Sequence, residues 1–194
     1  EAPYVFLVLG YAAYTGTTMG LSTFGPVFLM ALGLCDDESY ASTLFGGVVA
    51  LGGFLGTPLG GMLTDHVGKR AAAASSTSFE EAASPTSEAK TILIVITAQI
   101  VVATFLLIAC ALTASGDHSV VLFLLLLGGG VFVAFGTTAG TTRAAMLLAP
   151  ASMRPFAIAL MTLCIHAFGD VPSPIIVGAL KDSWAPRCGI TTSN

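Results

Sequence analysis

The stretch His166-Ala-Phe-Gly-Asp-Val-Pro-Ser-Pro-Ile-Ile-Val-Gly-Ala-Leu-Lys-Asp182 decides how this chain is read. It sets titratable groups and helix breakers inside a run that is otherwise apolar. Between Phe156 and Leu180 the only carboxylate is Asp170. A charge at the centre of a membrane helix costs about 3 kcal/mol on insertion scales, so Asp170 is expected to face protein or water and to have a functional role. Pro172 and Pro174 remove backbone donors within one turn of it and are expected to break the helix. Such breaks persist in a membrane only where neighbouring helices or a hydrated cavity satisfy the freed carbonyls.

Composition agrees with a bilayer setting. Hydrophobic residues make up 55% of the 194 positions and charged residues 9%, against about 25% charged in soluble domains. The mean hydropathy is +0.88. A net charge of -4 leaves no basic footprint for nucleic acid. The chain opens on Glu1 with no basic n-region and cleavage site ahead of its first apolar run. That run therefore reads as a span and not as a signal peptide, and the chain as a fragment.

Five apolar spans are expected, at 4–34, 41–64, 91–112, 119–148 and 155–181, making an all-α polytopic membrane bundle. In the first, Tyr11, Thr15, Thr18 and Ser22 recur at helical spacing with Tyr14 beside them, giving a polar stripe on an apolar rod. This stripe suits the lining of an aqueous path. It suits equally well hydroxyls bonded to their own backbone or to a neighbouring helix, worth only about 0.6 kcal/mol each on average. Gly16 and Gly20 form a notch for close helix contact, and Gly52, Gly56 and Gly60 form a second one on the next span. The acidic Asp36-Asp37-Glu38 reads as a solvated connector. The third span, with Gln99 its most polar member, reads as a peripheral, lipid-facing support. The fourth ends in Gly136-Thr-Thr-Ala-Gly-Thr-Thr-Arg143, where Arg143 either snorkels to the interface or faces a cavity as an anion contact.

The second span closes on Gly61-Met-Leu-Thr-Asp65-His-Val-Gly68-Lys69-Arg70. A tight turn at Gly68, a carboxylate at the helix end and basic groups at headgroup level are expected there. Residues 65–90 are then a loop, flexible in its Ala-, Ser- and Thr-rich part from Ala71. Placing this loop in the cytosol puts five of the seven basic residues on that side, in agreement with the positive-inside bias.

The four cysteines, Cys35, Cys110, Cys164 and Cys188, lack metal-ligand spacing. Cys110 and Cys164 lie in apolar runs and read as buried, inert thiols. Cys35 and Cys188 fall in expected loops on one side, and whether they pair cannot be fixed by spacing. No metal, cofactor or Ser-His-Asp arrangement is indicated. A nucleophilic Ser22 acting with His166 would lack the second glycine of a Gly-x-Ser-Gly turn, so an enzyme is not expected. His166 and Asp170, four residues apart, share one helix face and can bond directly or share a proton.

Two of these stretches resemble a known family. Gly169-Asp-Val-Pro-Ser-Pro174, followed by Gly178 and Asp182, is similar to the eleventh helix of spinster-type transporters of the major facilitator superfamily. Gly61 to Arg70 resembles that superfamily's cytoplasmic-loop signature, with His66 where a basic residue usually stands. The resemblance implies that the five spans are helices seven to eleven of a twelve-helix fold, with the first half and the last helix supplied elsewhere in the polypeptide. A short echo, Gly61 to Asp65 against Gly178 to Asp182, fits the inverted repeats of such folds. It implies alternating-access export of a lysolipid or sphingoid phosphate, with protons as a coupling ion and Arg143 as the headgroup contact. Sugars, organic anions and drugs travel on the same scaffold, and a scaffold that no longer transports is a further possibility.

Overall fold

The computed structural model describes residues 2–75, 85–114 and 120–184, and these are helical with no strand among them. The helices are α1 (Ala2–Ala31), α2 (Glu38–Ser75), α3 (Pro85–Ala114), α4 (Val120–Phe135), α5 (Thr137–Leu148), α6 (Arg154–Ile165) and α7 (Pro172–Trp184). Four stretches are long and apolar enough to cross a membrane: Glu38–Arg70, Glu88–Thr113, Val121–Leu148 and Ala151–Trp184. That is the profile of a multi-pass membrane protein. The first expected span is not among the four, although α1 is uncharged along its 30 residues. Its Tyr, Thr, Ser and Gly residues dilute the hydropathy of its apolar ends.

Local chemistry sets the boundaries. α1 stops at Ala31, before the expected Leu34, because Gly33 takes a left-handed φ of 67°. The Gly33 N–H then donates to Met30 O at 2.9 Å and the Leu34 N–H to Leu29 O at 3.0 Å, the pairing of a Schellman cap. Asp37, expected only as connector, caps α2 by accepting the Tyr40 N–H at 2.8 Å. After α5, Ala149 is extended, the conformation favoured before a proline. Pro150 leads through a 3-10 turn (Ala151–Met153) into α6.

Three expectations are corrected. Residues 65–90 do not form one loop: α2 continues through Gly68 to Ser75, and α3 starts at Pro85. There is no turn at Gly68, because nothing between Gly61 and Ser75 stops a helix. Of the flexible segment expected from Ala71 to Lys90, residues 76–84 lie outside the described residues. Last, the span is divided near Pro172 and Pro174, as expected, but the disturbance is displaced from the prolines themselves. Both sit in the first turn of α7, and the disturbance lies one turn earlier, in a π turn at His166–Asp170 where the Val171 N–H reaches back to His166 O at 3.0 Å. A proline removes the rung to the carbonyl four residues before it and crowds that carbonyl. For Pro172 and Pro174 those carbonyls belong to Phe168 and Asp170, within the widened turn.

The chain divides into two compact units, residues 1–7 with 48–159 and residues 8–47 with 160–194. In the first unit, α2 meets α4 and α5 through its glycines. A methyl on Gly56 would strike Phe132 O, one on Gly60 would strike the Gly136 backbone, and one on Gly52 would lie 2.8 Å from Val131 Cγ1. Backbones approach this closely only because no side chain intervenes. α3 packs through one face only. Ile92, Ile96, Ala103 and Cys110 are buried along one face, while Ile94, Phe105 and Leu112 are exposed on the other. The buried face packs on α4 and α5, with Leu107 seated over Gly130. Cys110, as expected, is buried, its thiol 3.6 Å from Phe123 O. Tyr4 donates its hydroxyl to Ala157 O at 2.5 Å, tying the start of α1 to the start of α6.

In the second unit the notch on α1 is filled by the π turn and α7. Gly16 and Gly169 meet backbone to backbone: a methyl on Gly16 would lie 3.1 Å from Gly169 O, and one on Gly169 would strike Ala12 O. Ser173 Oγ donates to Gly16 O. The ring of Phe45 occupies the space beside Gly25. Cys35 is buried with a free thiol, and Cys164 is half-buried. Cys188 lies outside the described residues, and with it the question of pairing.

Candidate functional site: two charge clusters

The charged residues expected to matter form two clusters, one in each unit. In the first unit, Arg143 on α5 divides its guanidinium between two acids. Nη1 donates to Asp65 Oδ1 on α2, and Nη2 donates to Glu88 Oε1 on α3. The three side chains come from three helices and meet over Gly68. A methyl there would stand 3.4 Å from Glu88 Oε1 and 3.6 Å from Arg143 Nη2. Gly68 therefore serves as a floor for the cluster and not as a turn. Arg143 is 29% exposed, Glu88 22% and Asp65 57%, so the Glu88 arm is the better shielded. Two carboxylates for one guanidinium leave the cluster formally negative. Lys69 and Arg70, the remaining basic pair of the motif, are exposed next to it, as is His66.

Arg143 was expected either to snorkel or to hold an anion. In this arrangement its fork is committed to two carboxylates, and an incoming phosphate would have to displace one of them. Glu88 was missed in the sequence because it lies in the Ala/Ser-rich stretch assigned to a loop. The signal was present, though: an acid one turn ahead of a long apolar run.

In the second unit, His166 and Asp170 are bonded as their spacing suggested. His166 Nδ1 and Asp170 Oδ2 are hydrogen-bonded at 2.6 Å. Asp170 is 17% exposed and His166 63%, so the acid is drawn in while the ring looks out. The pair sits on the π turn, a form of helix that appears mostly as single turns at functional sites.

The polar stripe of α1 lies in this unit too, and two of its hydroxyls turn to their own helix. Thr15 donates to Ala12 O at 3.0 Å, and Thr18 to Thr15 O at 2.9 Å. Tyr11 and Tyr14 stack with ring centroids 5.5 Å apart, and Ser22 is exposed. An apolar groove of about 330 Å³ runs between α1 and α7, lined in part by Ala13, Thr17, Phe168 and Ile176. Among the described residues no group of three or more His, Cys, Asp or Glu side chains could hold a metal ion.

Fold and clusters together define an α-helical chain with membrane-length apolar helices, one three-helix ion cluster and one His–Asp pair on a widened turn. No family model, curated protein or solved structure matches it.

Proposed function

We propose that the chain is part of an alternating-access transporter of the major facilitator type, in which it supplies helices seven to eleven. α1 is then the seventh helix, α2 the eighth and α3 the ninth, with α4 and α5 forming the tenth and α6 and α7 the eleventh. The observation that carries the reading is the Asp65–Arg143–Glu88 cluster. It ties three helices together at the motif whose residues resemble the superfamily signature. Ion pairs that are partly exposed can be made and broken at modest cost, which suits a contact that closes one face of a carrier and releases it in the other state. The His166–Asp170 pair, drawn partly inward on the π turn, is the proposed site of proton coupling.

A spinster-like substrate, a lysolipid or sphingoid phosphate, is the proposed cargo. The commitment of Arg143 to two acids favours a second reading beside it, a different small organic solute that needs no guanidinium for a headgroup. Neither reading assigns chemistry to Ser22, and we propose no hydrolytic activity.

The test is uptake by the full-length protein reconstituted in liposomes. Labelled sphingosine phosphate and lysophosphatidylcholine are compared with a labelled sugar and an organic anion. Movement of either lipid above empty liposomes, reduced about tenfold by Asp170→Asn and by Arg143→Ala, is the expected result. Movement of a sugar or anion alone would select the second reading. No movement of any of them would remove the transport proposal, and undiminished uptake in both variants would remove the residue assignment.

A further inference from the structure

In the first unit every described residue that carries a formal charge lies at one end. The membrane-length stretches reach that end at Arg70, Glu88, Leu148 and Ala151. Five of these residues are basic, Lys69, Arg70, Lys90, Arg143 and Arg154, against the two carboxylates Asp65 and Glu88. Both carboxylates are taken by Arg143. Lys69 stands four residues after Asp65, the spacing of a helical ion pair, and finds that partner already engaged. Lys69, Arg70, Lys90 and Arg154 are exposed, and none of them forms an ion pair with an acid among the described residues.

Behind these cations, on the membrane side, the helices expose apolar side chains. Residues seven apart in a helix share one strip of its surface, because two turns nearly close on themselves. Leu55, Met62 and Lys69 make such a strip on α2, and Leu63 with Arg70 makes another beside it. On α3, exposed Ile94 stands one turn inward from Lys90. Each strip therefore runs from apolar to cationic on its way out of the membrane. A phospholipid has the same order, acyl chain and then phosphate. A nucleic acid or an acidic peptide would meet the cations and leave the apolar strips uncovered.

We propose that this end of the first unit is a binding surface for anionic phospholipids. Lys69, Arg70, Lys90 and Arg154 take the headgroup phosphates, and the strips behind them take the acyl chains. The preference is for a net negative lipid, because no carboxylate is left over to receive the cation of a zwitterionic headgroup. A basic residue near such a surface contributes about a fivefold preference for anionic lipid. Arg143 has no part in this surface, since its guanidinium is held by two acids. The surface depends on placement in a bilayer and is independent of whether the chain moves a solute.

The experiment is thermal unfolding of the full-length protein in a neutral detergent, titrated with phosphatidylglycerol, with phosphatidylcholine of the same chains, or with inorganic phosphate. Phosphatidylglycerol is expected to raise the melting temperature, and the other two to leave it unchanged. Lys69→Gln, Arg70→Gln, Lys90→Gln and Arg154→Gln combined should need about tenfold more phosphatidylglycerol for the same shift. Lys181→Gln, at the far end of the last span, should respond as wild type does. Equal shifts with the two lipids, or a combined variant that responds like wild type, overturn the proposal. A shift with inorganic phosphate would mean a free-anion site and also overturns it. Should the combined variant fail to fold, wild type in 50 mM and 1 M salt decides. Screening should abolish the phosphatidylglycerol shift, and a shift that survives high salt is not made by these exposed charges.

Discussion

Asp65 and Glu88 hold the same arginine, yet their surroundings assign them different weights. An exposed ion pair contributes about 0.2–1 kcal/mol, while a hydrogen bond to a charged group that is largely shielded contributes about 1.5–3 kcal/mol. With Asp65 57% exposed and Glu88 22%, Glu88→Gln should destabilise the protein more than Asp65→Asn. Thermal unfolding of the two variants in one detergent checks the order, and a larger loss from Asp65→Asn would show that exposure is not what ranks them. At this scale the sequence was partly legible. His166 and Asp170 are four apart on one strip of helix, and they bond. Arg143 and its two acids are 78 and 55 residues apart, and no local pattern joins them.

Glycine spacing was the readable feature at the scale of the element, and its partner was not. The stripe of Gly52, Gly56 and Gly60 announced a close neighbour, and the structure supplies the α4–α5 segment from Val131 to Gly136. Gly60→Ala would drive a methyl into the Gly136 backbone, which has no side chain to swing aside, at a cost of about 1–3 kcal/mol. Gly53, one position around the helix from Gly52, meets only the Phe135 ring at 3.6 Å, an ordinary contact. Gly53→Ala should be neutral or slightly stabilising, since alanine is the better helix former by about 1 kcal/mol. Melting temperatures of the pair test the contrast, and equal shifts would mean that α2 does not pack through its glycines. The π turn belongs to this scale as well. The prolines foretold a disturbance. Its position one turn upstream follows from the reach of a helical hydrogen bond, which carries a missing donor's effect back four residues.

Among the described residues many large apolar side chains are exposed. Phe6, Phe54, Ile94, Leu125, Phe168 and Trp184 are each at least 67% exposed, which in water would be costly and in lipid is the ordinary solvent-facing surface. Alkaline carbonate should leave the protein in the membrane pellet, and its release to the supernatant would contradict the bilayer assignment. α1 is the open case, a 30-residue uncharged helix that is not among the four membrane-length apolar stretches. If it crosses as proposed, reporters placed ahead of Ala2 and within Asp36–Glu38 will map to opposite sides; the same side would make it an interfacial helix. The sequence alone determined that the chain is helical and apolar, where its glycines invite contact and that Asp170 stands inside an apolar span. Those are properties of composition and short spacing, carried by each segment wherever it lies. Only the tertiary structure decided that Arg143 is held by Asp65 and Glu88, that α3 buries one face and that Gly68 supports a charge cluster. Each of these depends on which helix lies beside which, a choice made by packing between distant segments.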